Sequence, residues 1–565
     1  MDVDKNTSPS PLTTVPATPG KRRWLALAAV ALGVSLIIMD ATVVNVALPV
    51  IIEDLHLDAT QAEWMNAVYS LMFAALLLTV GKLGDLHGRR RLFLIGMVIF
   101  VFASVIAGFS ANGTELIAAR LLQGIGAAMI LPATLSTVNA MFQGKERAIA
   151  FAVWGSTIGG MAAVGPLVGG WLTTYVSWQW AFWINVPVGL LVIAGILLYV
   201  PETRDENTPR GLDIPGVVMS ALGLGAIVFA LIEGQNYGWW RQDSGAISPV
   251  PIAMAGGLIL MAAFVRSQRV RGMAGRPVLV DLGLLGVRSF RYGAIAALIV
   301  ALGEFGLLFT LPLLLQNALG FSPLGTGWLI VSLAVGTFFI SGMTPQLTRR
   351  YGGRAVVRMG LGTEAFAVAG LALTLSASIS GWLIAVWLFT YGLGVGMATA
   401  QLTSVILAEI PVAESGQASG LQSTFRQLGS ALGVAILGTL LITSLGRATT
   451  ANLADTGMPA AAQDAAVTVV TESAGAAIPS LQANPATATA GDAAATGMIQ
   501  ASKLTTGVAA IIISLGLAAT LALPKLPGPQ PEPKAGADAA TGRRQRRGDA
   551  TVTTINPTDT ESTKA

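Results

Sequence analysis

Fourteen separate stretches of this chain are apolar enough to cross a bilayer, and that constrains its fold more than any other feature. A span needs about 20 mostly apolar residues, since hydrocarbon offers the backbone no hydrogen-bond partners. The stretches run approximately 24–52, 61–80, 92–110, 114–138, 147–174, 178–199, 213–232, 251–267, 291–316, 324–347, 355–376, 382–408, 417–446 and 504–523. Charge agrees with this reading: 11% of the 565 residues are charged, against roughly 25% in a soluble domain. So little charge cannot dress a large water-facing surface, and the expected fold class is an all-α polytopic membrane protein. The run that opens at Lys21-Arg22-Arg23 is too long for a signal-peptide core and reads as an uncleaved first helix.

Several chemistries are excluded at once. Without cysteine there are no disulfides, thiolate metal sites or cysteine nucleophiles, and His56 and His87 alone make histidine metal sites improbable. Each Gly-Lys pair (Gly20-Lys21, Gly81-Lys82, Gly144-Lys145) precedes Arg, Leu or Glu, where a phosphate-binding loop needs Ser or Thr to hold magnesium. No ATP engine, enzyme activity, cofactor, metal or nucleic-acid partner is expected.

The positions of Lys and Arg test the span count independently, because basic residues in short loops stay cytoplasmic. With the N-terminus inside, only Arg241, Arg447 and Lys503 fall in outer loops and only Arg120 and Arg426 well inside spans, Arg147, Arg266, Arg291 and Arg358 standing at cytoplasmic span ends. The rest of the 34 basic residues face the cytoplasm. A single missed or invented helix would invert everything after it and destroy this partition.

Organisation shows as an echo. Gly81-Lys82-Leu83-Gly84-Asp85-Leu86-His87-Gly88-Arg89-Arg90-Arg91 follows the second span, and a degraded version, Thr348-Arg349-Arg350-Tyr351-Gly352-Gly353-Arg354, follows the tenth. The echo implies two related six-helix bundles with an inserted pair of spans, the layout of secondary transporters. The divisions are 1–23, a cytoplasmic segment; 24–199, the first bundle; 200–290, a linker region with two inserted helices; and 291–523, the second bundle. Within the last, residues 447–503 are rich in Ala and Thr and lack aromatics, so a loosely helical or disordered outer loop is expected. Residues 524–565 form a cytoplasmic tail whose Arg543, Arg544, Arg546 and Arg547 suit anionic lipid.

At this point a resemblance emerges. The loop after the second span resembles the loop motif of the major facilitator superfamily, and further matches point to its fourteen-span drug:proton antiporters. Asp40-Ala41-Thr42-Val43-Val44-Asn45-Val46-Ala47-Leu48-Pro49 is similar to that family's first-helix signature. Arg120-Leu121-Leu122-Gln123-Gly124-Ile125-Gly126 is similar to its buried-arginine motif. Gly155, Gly159 and Gly165-Pro166-Leu167-Val168-Gly169-Gly170 resemble its antiporter motif, and Trp178-Gln179-Trp180-Ala181-Phe182-Trp183-Ile184-Asn185 opens the sixth span in the family's manner. The departures are Gln179, where the family usually has Arg, and the degraded second loop.

Each motif also has a physical reading. In the loop, Gly81 and Gly88 permit a tight turn, Arg89 and Arg90 anchor the inner face, and Asp85 is placed to act as a gating latch at a helix N-terminus. In the fifth span the four-residue glycine spacing allows close helix contact, and Pro166 permits a kink. Charges inside the bilayer cost several kcal/mol unless paired or hydrated. That singles out Asp40, Arg120, Glu304 and Glu364 as candidates for proton coupling or substrate binding. Asp40 lies about 25 Å above Arg23 at the helical rise, a depth that Arg120 can share. Arg426 reads as a snorkelling anchor, and Trp64, Trp171, Trp178, Trp239 and Trp240 as interfacial belts.

The resemblance implies a major facilitator fold in the plasma membrane, exporting lipophilic compounds, with lipophilic cations as a candidate subclass, in exchange for protons. Its expected partners are protons, the small-molecule substrate and membrane lipid. Export of a lipid or endogenous metabolite, and a non-transporting sensor with the same fold, are the alternatives.

Overall fold

The computed structural model describes residues 20–142, 144–204, 211–234, 236–242, 246–407, 409–410 and 415–523. The tail arginines and the environments of Asp85, Gly155 and Gly159 lie outside the described residues.

The helices are α1 (Gly20–Leu55), α2 (Ala59–His87), α3 (Arg89–Phe109), α4 (Gly113–Met141), α5 (Gly144–Tyr175), α6 (Trp180–Trp183), α7 (Asn185–Tyr199), α8 (Ile214–Ile232) and α9 (Pro249–Met273). They continue as α10 (Arg288–Asn317), α11 (Pro323–Tyr351), α12 (Gly353–Thr374), α13 (Gly381–Leu407), α14 (Ser415–Ala454), α15 (Ala460–Glu472), α16 (Ile478–Ala483) and α17 (Ala488–Ala519). Among the described residues, 13 helices are long and apolar enough to cross a membrane, the sixth crossing being α6 and α7 together. The 32-residue α5, uncharged beyond its first turn, completes the fourteen. The chain is a multi-pass membrane protein.

Turn chemistry sets the boundaries. Asp58 starts α2 with a reciprocal cap, its Oδ1 accepting from the Gln61 amide while Gln61 Oε1 accepts from the Asp58 amide. Ser322 caps α11 in the simpler way, and Gly88 and Gly352, both at positive φ, let one helix end and the next begin in a single residue. Those two reversals define one face of the molecule, the loop face; α15 and α16 lie on the other, the cap face.

Close glycine contacts then build each bundle in the same way. At Gly96, α3 nearly touches the backbone of α4 at Gly126; at Gly360, α12 approaches α13 at Gly394 and Ala398 as tightly. Gly96 lies eight residues past Gly88 and Gly360 eight past Gly352, so the echo read in the loops extends into helix packing. The inserted α8 and α9 pack on one another, and α8 lies along both α2 and α14. At the loop face Asp213 clamps this pair, accepting from Gln268 Nε2 at 2.5 Å and pairing with Arg271 Nε at 3.2 Å.

Residues 447–503 follow the helical alternative of the expectation, but as packed helices rather than loose ones. They are helical for most of their length: α14 runs 40 residues, about 60 Å at the helical rise and twice the thickness of a hydrocarbon core, to Ala454. α17 begins at Ala488, sixteen residues before the apolar run that marked its span. Alanine is the best helix former and its methyl lets helices pack closely, so a composition that resembles disorder here builds a layer in which Leu453, Val470, Ile478 and Ala494 are buried.

The two bundles meet along two seams, α2 against α14 and α5 against α11. Among the described residues, hydrogen bonds join them at the cap face or mid-depth: Gln316 Nε2 to the Val46 carbonyl at 2.9 Å, the Leu324 amide to Thr174 Oγ1 at 3.1 Å, Thr439 Oγ1 to Glu63 at 3.2 Å, and the Ser70 and Ser430 hydroxyls at 3.1 Å. Towards the loop face Phe338, Phe339 and Met343 of α11 are exposed, and among the described residues no atom lies within 4 Å of where a side chain on Gly342 would begin. The seam is shut at the cap face.

Candidate functional site

Asp40, halfway along α1, is fully buried, and an ionised carboxylate there needs donors. Three side chains supply them. Arg120 Nη1 of α4 donates to Oδ2 at 2.6 Å; Gln123 Nε2, one turn further, and Asn185 Nδ2 of α7 donate to Oδ1 at 3.0 and 2.7 Å. Ser104 of α3 accepts from both amides, at 2.8 and 3.2 Å, and itself donates to the Phe100 carbonyl. Arg120 is 1% exposed; it also donates to Gln123 Oε1 and the Met65 carbonyl, and its guanidinium lies 4.4 Å over the Tyr69 ring. Five of the six crossings of the first bundle thus converge on one carboxylate.

The sequence pairs Asp40 with Arg120 by depth. It does not single out Gln123, Asn185, Ser104 or Tyr69, although the first two sit inside the motifs. The signal was present, because amides inside apolar spans carry the same solvation penalty as charges, at smaller magnitude.

The second bundle holds a looser counterpart. Glu304 lies 48 residues before Gly352, as Asp40 lies 48 before Gly88, so the two carboxylates occupy matching positions on α1 and α10. Among the described residues, the cationic neighbour of Glu304 is Arg426 of α14, whose Nη2 is 3.8 Å from Oε2. Arg426 is therefore no snorkelling anchor: it reaches sideways to α10, with its guanidinium 5.9 Å from the Phe305 ring. Its side chain is 41% exposed in the middle of a helix that borders the inter-bundle seam. Glu364 of α12 is buried against Gly394 of α13, and among the described residues neither carboxyl oxygen has a hydrogen-bond partner; the Tyr391 hydroxyl of α13 is likewise buried without one among them.

Around the first loop, the carboxylate at the α3 N-terminus belongs to Glu202, which the motif does not contain. Its Oε1 accepts from the Arg90 amide at 3.0 Å and its Oε2 from the Arg91 amide at 3.2 Å. Arg90 Nη2 donates to the Leu197 carbonyl at the end of α7, and Glu202 occupies the space that a side chain on Gly88 would need. The loop is thus latched to the end of the sixth crossing through a helix N-terminus that favours an anion.

In the antiporter motif, Gly165 and Gly169 face α1 at Thr42 and Val43, whereas Gly170 faces the Pro323 and Leu324 backbone of α11, and the Pro166 carbonyl abuts Gly327. α5 is wedged between its own bundle and the opposite one. Two tryptophans depart from the belt reading: Trp178 is buried, donating to Asp54 Oδ2 at 2.6 Å, and Trp64 donates to Glu233 Oε1 at 3.0 Å. Trp171, Trp239 and Trp240 are exposed as expected.

Two bundles with matched intramembrane carboxylates, joined along seams shut at one face, define a secondary transporter of the rocking-bundle kind. The chain belongs to the Major Facilitator Superfamily, whose family model matches residues 30–214 and 210–434. It is 36% identical over 462 residues, 80% of this chain and 87% of the relative, to a puromycin resistance protein of Streptomyces alboniger. It is 34% identical over 449 residues (77% and 75%) to a probable actinorhodin transporter of Streptomyces coelicolor, and 35% over 429 residues (74% and 81%) to a multidrug efflux pump of Mycolicibacterium smegmatis. Among solved structures it resembles a bacterial homolog of the human lysosomal transporter Spinster, inward-facing and unoccupied, with TM-score 0.60 and 18% identity over 90% of this chain and 98% of that one.

Proposed function

We propose that this protein exports lipophilic compounds, antibiotics and other toxic molecules among them, from the cell across the plasma membrane in exchange for protons. Its relatives' names support the substrate class. The positive-inside distribution supports a cytoplasmic loop face and cytoplasmic termini. The observation that carries the coupling is the matched pair of carboxylates, Asp40 sealed under Arg120 and Glu304, largely buried, beside the more exposed Arg426.

In this reading the loop-face opening admits substrate, the bundles rock, and the cap face releases it; proton entry resets the carrier. One charge falling through 100 mV supplies about 2.3 kcal/mol, enough to sustain a gradient without ATP. Asp40 with Arg120 holds or hands on the proton. Glu304 and Glu364 are the second pair, for a proton or for a cationic group on the substrate. The Gly81–Arg90 loop, with Asp85, Gly88 and Arg89, latches the shut loop face, and the glycines of α5 with Pro166 carry the rocking contact.

The test is substrate-induced proton release from everted vesicles, with a cationic and a neutral substrate. Asp40→Asn is expected to abolish release with both. Glu304→Gln is expected to do the same if it shares the proton, and to weaken only the cation if it is a counter-ion. Normal coupling in both variants overturns the assignment, and efflux indifferent to a protonophore overturns proton exchange itself.

A further inference from the structure

A fourth carboxyl, beside Asp40, Glu304 and Glu364, stands where the bundles meet. Glu63, the fifth residue of α2 and near its cap-face end, is 1% exposed. Its Oε2 accepts from Thr439 Oγ1 of α14 at 3.2 Å, and its carboxyl fills the space left by Gly438, where a methyl would lie 2.8 Å from Oε1. The Thr439 hydroxyl is also 3.1 Å from the Leu231 carbonyl of α8, so its one proton is shared between two acceptors. Among the described residues, the charged groups around the site give no cation paired with Glu63. α8 brings Glu233, already accepting from Trp64 Nε1, and α4 brings Arg120, committed to Asp40. On α14, Arg426 lies thirteen residues towards the loop face and Arg447 eight beyond, exposed.

We propose that Glu63 is a further proton-binding site, the lock of the cap-face seam. This rests on the export reading above. A carboxylate sealed with half a hydroxyl and a neighbouring carboxylate is strongly disfavoured, whereas a neutral carboxyl fits the site and itself becomes a donor. Release of substrate requires α2 to part from α14 here, which puts Glu63 in external water, free to ionise. Each closure then takes one proton from outside: Glu63–COO⁻ and H⁺ combine to Glu63–COOH as Thr439 and Gly438 close over it. External acid therefore drives the emptied carrier back to its cap-shut state, the order an antiporter needs.

The test uses the absence of cysteine. Spin labels on cysteines at Ala111 and Ala377, exposed cap-face positions in the first and second bundles, report the seam by distance in lipid nanodiscs from pH 5 to 9, without substrate. The open-to-shut ratio is expected to rise with pH by up to tenfold per unit, the limit for one linked proton. Glu63→Gln is expected to hold the seam shut at every pH, and Glu63→Asp to keep a pH response. A wild-type slope surviving in Glu63→Gln, or no slope in the wild type, overturns the lock. If the seam responds as expected while vesicle efflux ignores a protonophore, the export reading fails and the lock stands.

Discussion

At the residue scale, the Asp40 cluster shows how a membrane interior tolerates a charge: its geometry supplies every donor that water would have supplied. Removing one partner of such a pair leaves the other charge uncompensated, at about 3–5 kcal/mol. Arg120→Ala should therefore lower the unfolding midpoint in detergent severely and abolish transport, and Arg120→Lys should rescue only part of either, because an ammonium cannot donate to Asp40, Gln123 and the Met65 carbonyl from one planar group. Asn185→Leu leaves Asp40 with two donors instead of three, and about 1–3 kcal/mol of stability should go with it. Thermal-shift measurements on the purified variants check both; an Asn185→Leu protein as stable as wild type would show that this bond contributes nothing.

At the scale of elements, small residues decide which helices can meet. The Thr42 hydroxyl occupies the space a side chain on Gly165 would enter, and α1 cannot retreat without breaking the Asp40 cluster two residues away. Gly165→Leu should cost about 1–3 kcal/mol of overpacking and block rocking, read as protein that inserts in the membrane but does not export. Glu202→Gln tests the latch differently: it keeps one of the two acceptor oxygens, puts an amide NH2 where the other accepted, and removes the charge at the α3 N-terminus, so about 1–2 kcal/mol should be lost, with turnover altered more than substrate affinity. Equal kinetics in Glu202→Gln would reduce the loop to an anchor.

At the scale of the whole molecule, topology is the prediction with most at stake. A lone cysteine at Ala461 on α15 should react with an impermeant thiol reagent added to intact cells, and one at Ala274, at the other face, should react only after permeabilisation. The reverse pattern would turn the carrier upside down and the direction of transport with it. Removing the cap helices by joining Ala454 to Ala488 through a short Gly-Ser linker should leave the fourteen crossings in place, since the membrane segments of α14 and α17 pack on each other without the cap. Protease resistance of the shortened chain checks this.

Number of crossings, bundle division and the Asp40–Arg120 pairing were legible in the sequence, because hydrocarbon imposes one rule on every segment: apolar outside, backbone satisfied within, charge hidden or matched. What the sequence could not decide was direction around each helix. Arg426 is as consistent with a helix end as with Glu304 until α10 and α14 are seen side by side, and Glu63 is one acidic residue near an interface until α14 brings a glycine and a threonine against it. The helices of the Ala-rich outer segment were within the expectation but their packing was not, for a related reason, since small residues announce neither a lipid face nor a core and acquire burial only when another backbone comes close enough. Composition fixes the solvent a helix needs; only the tertiary packing chooses the neighbour that replaces it.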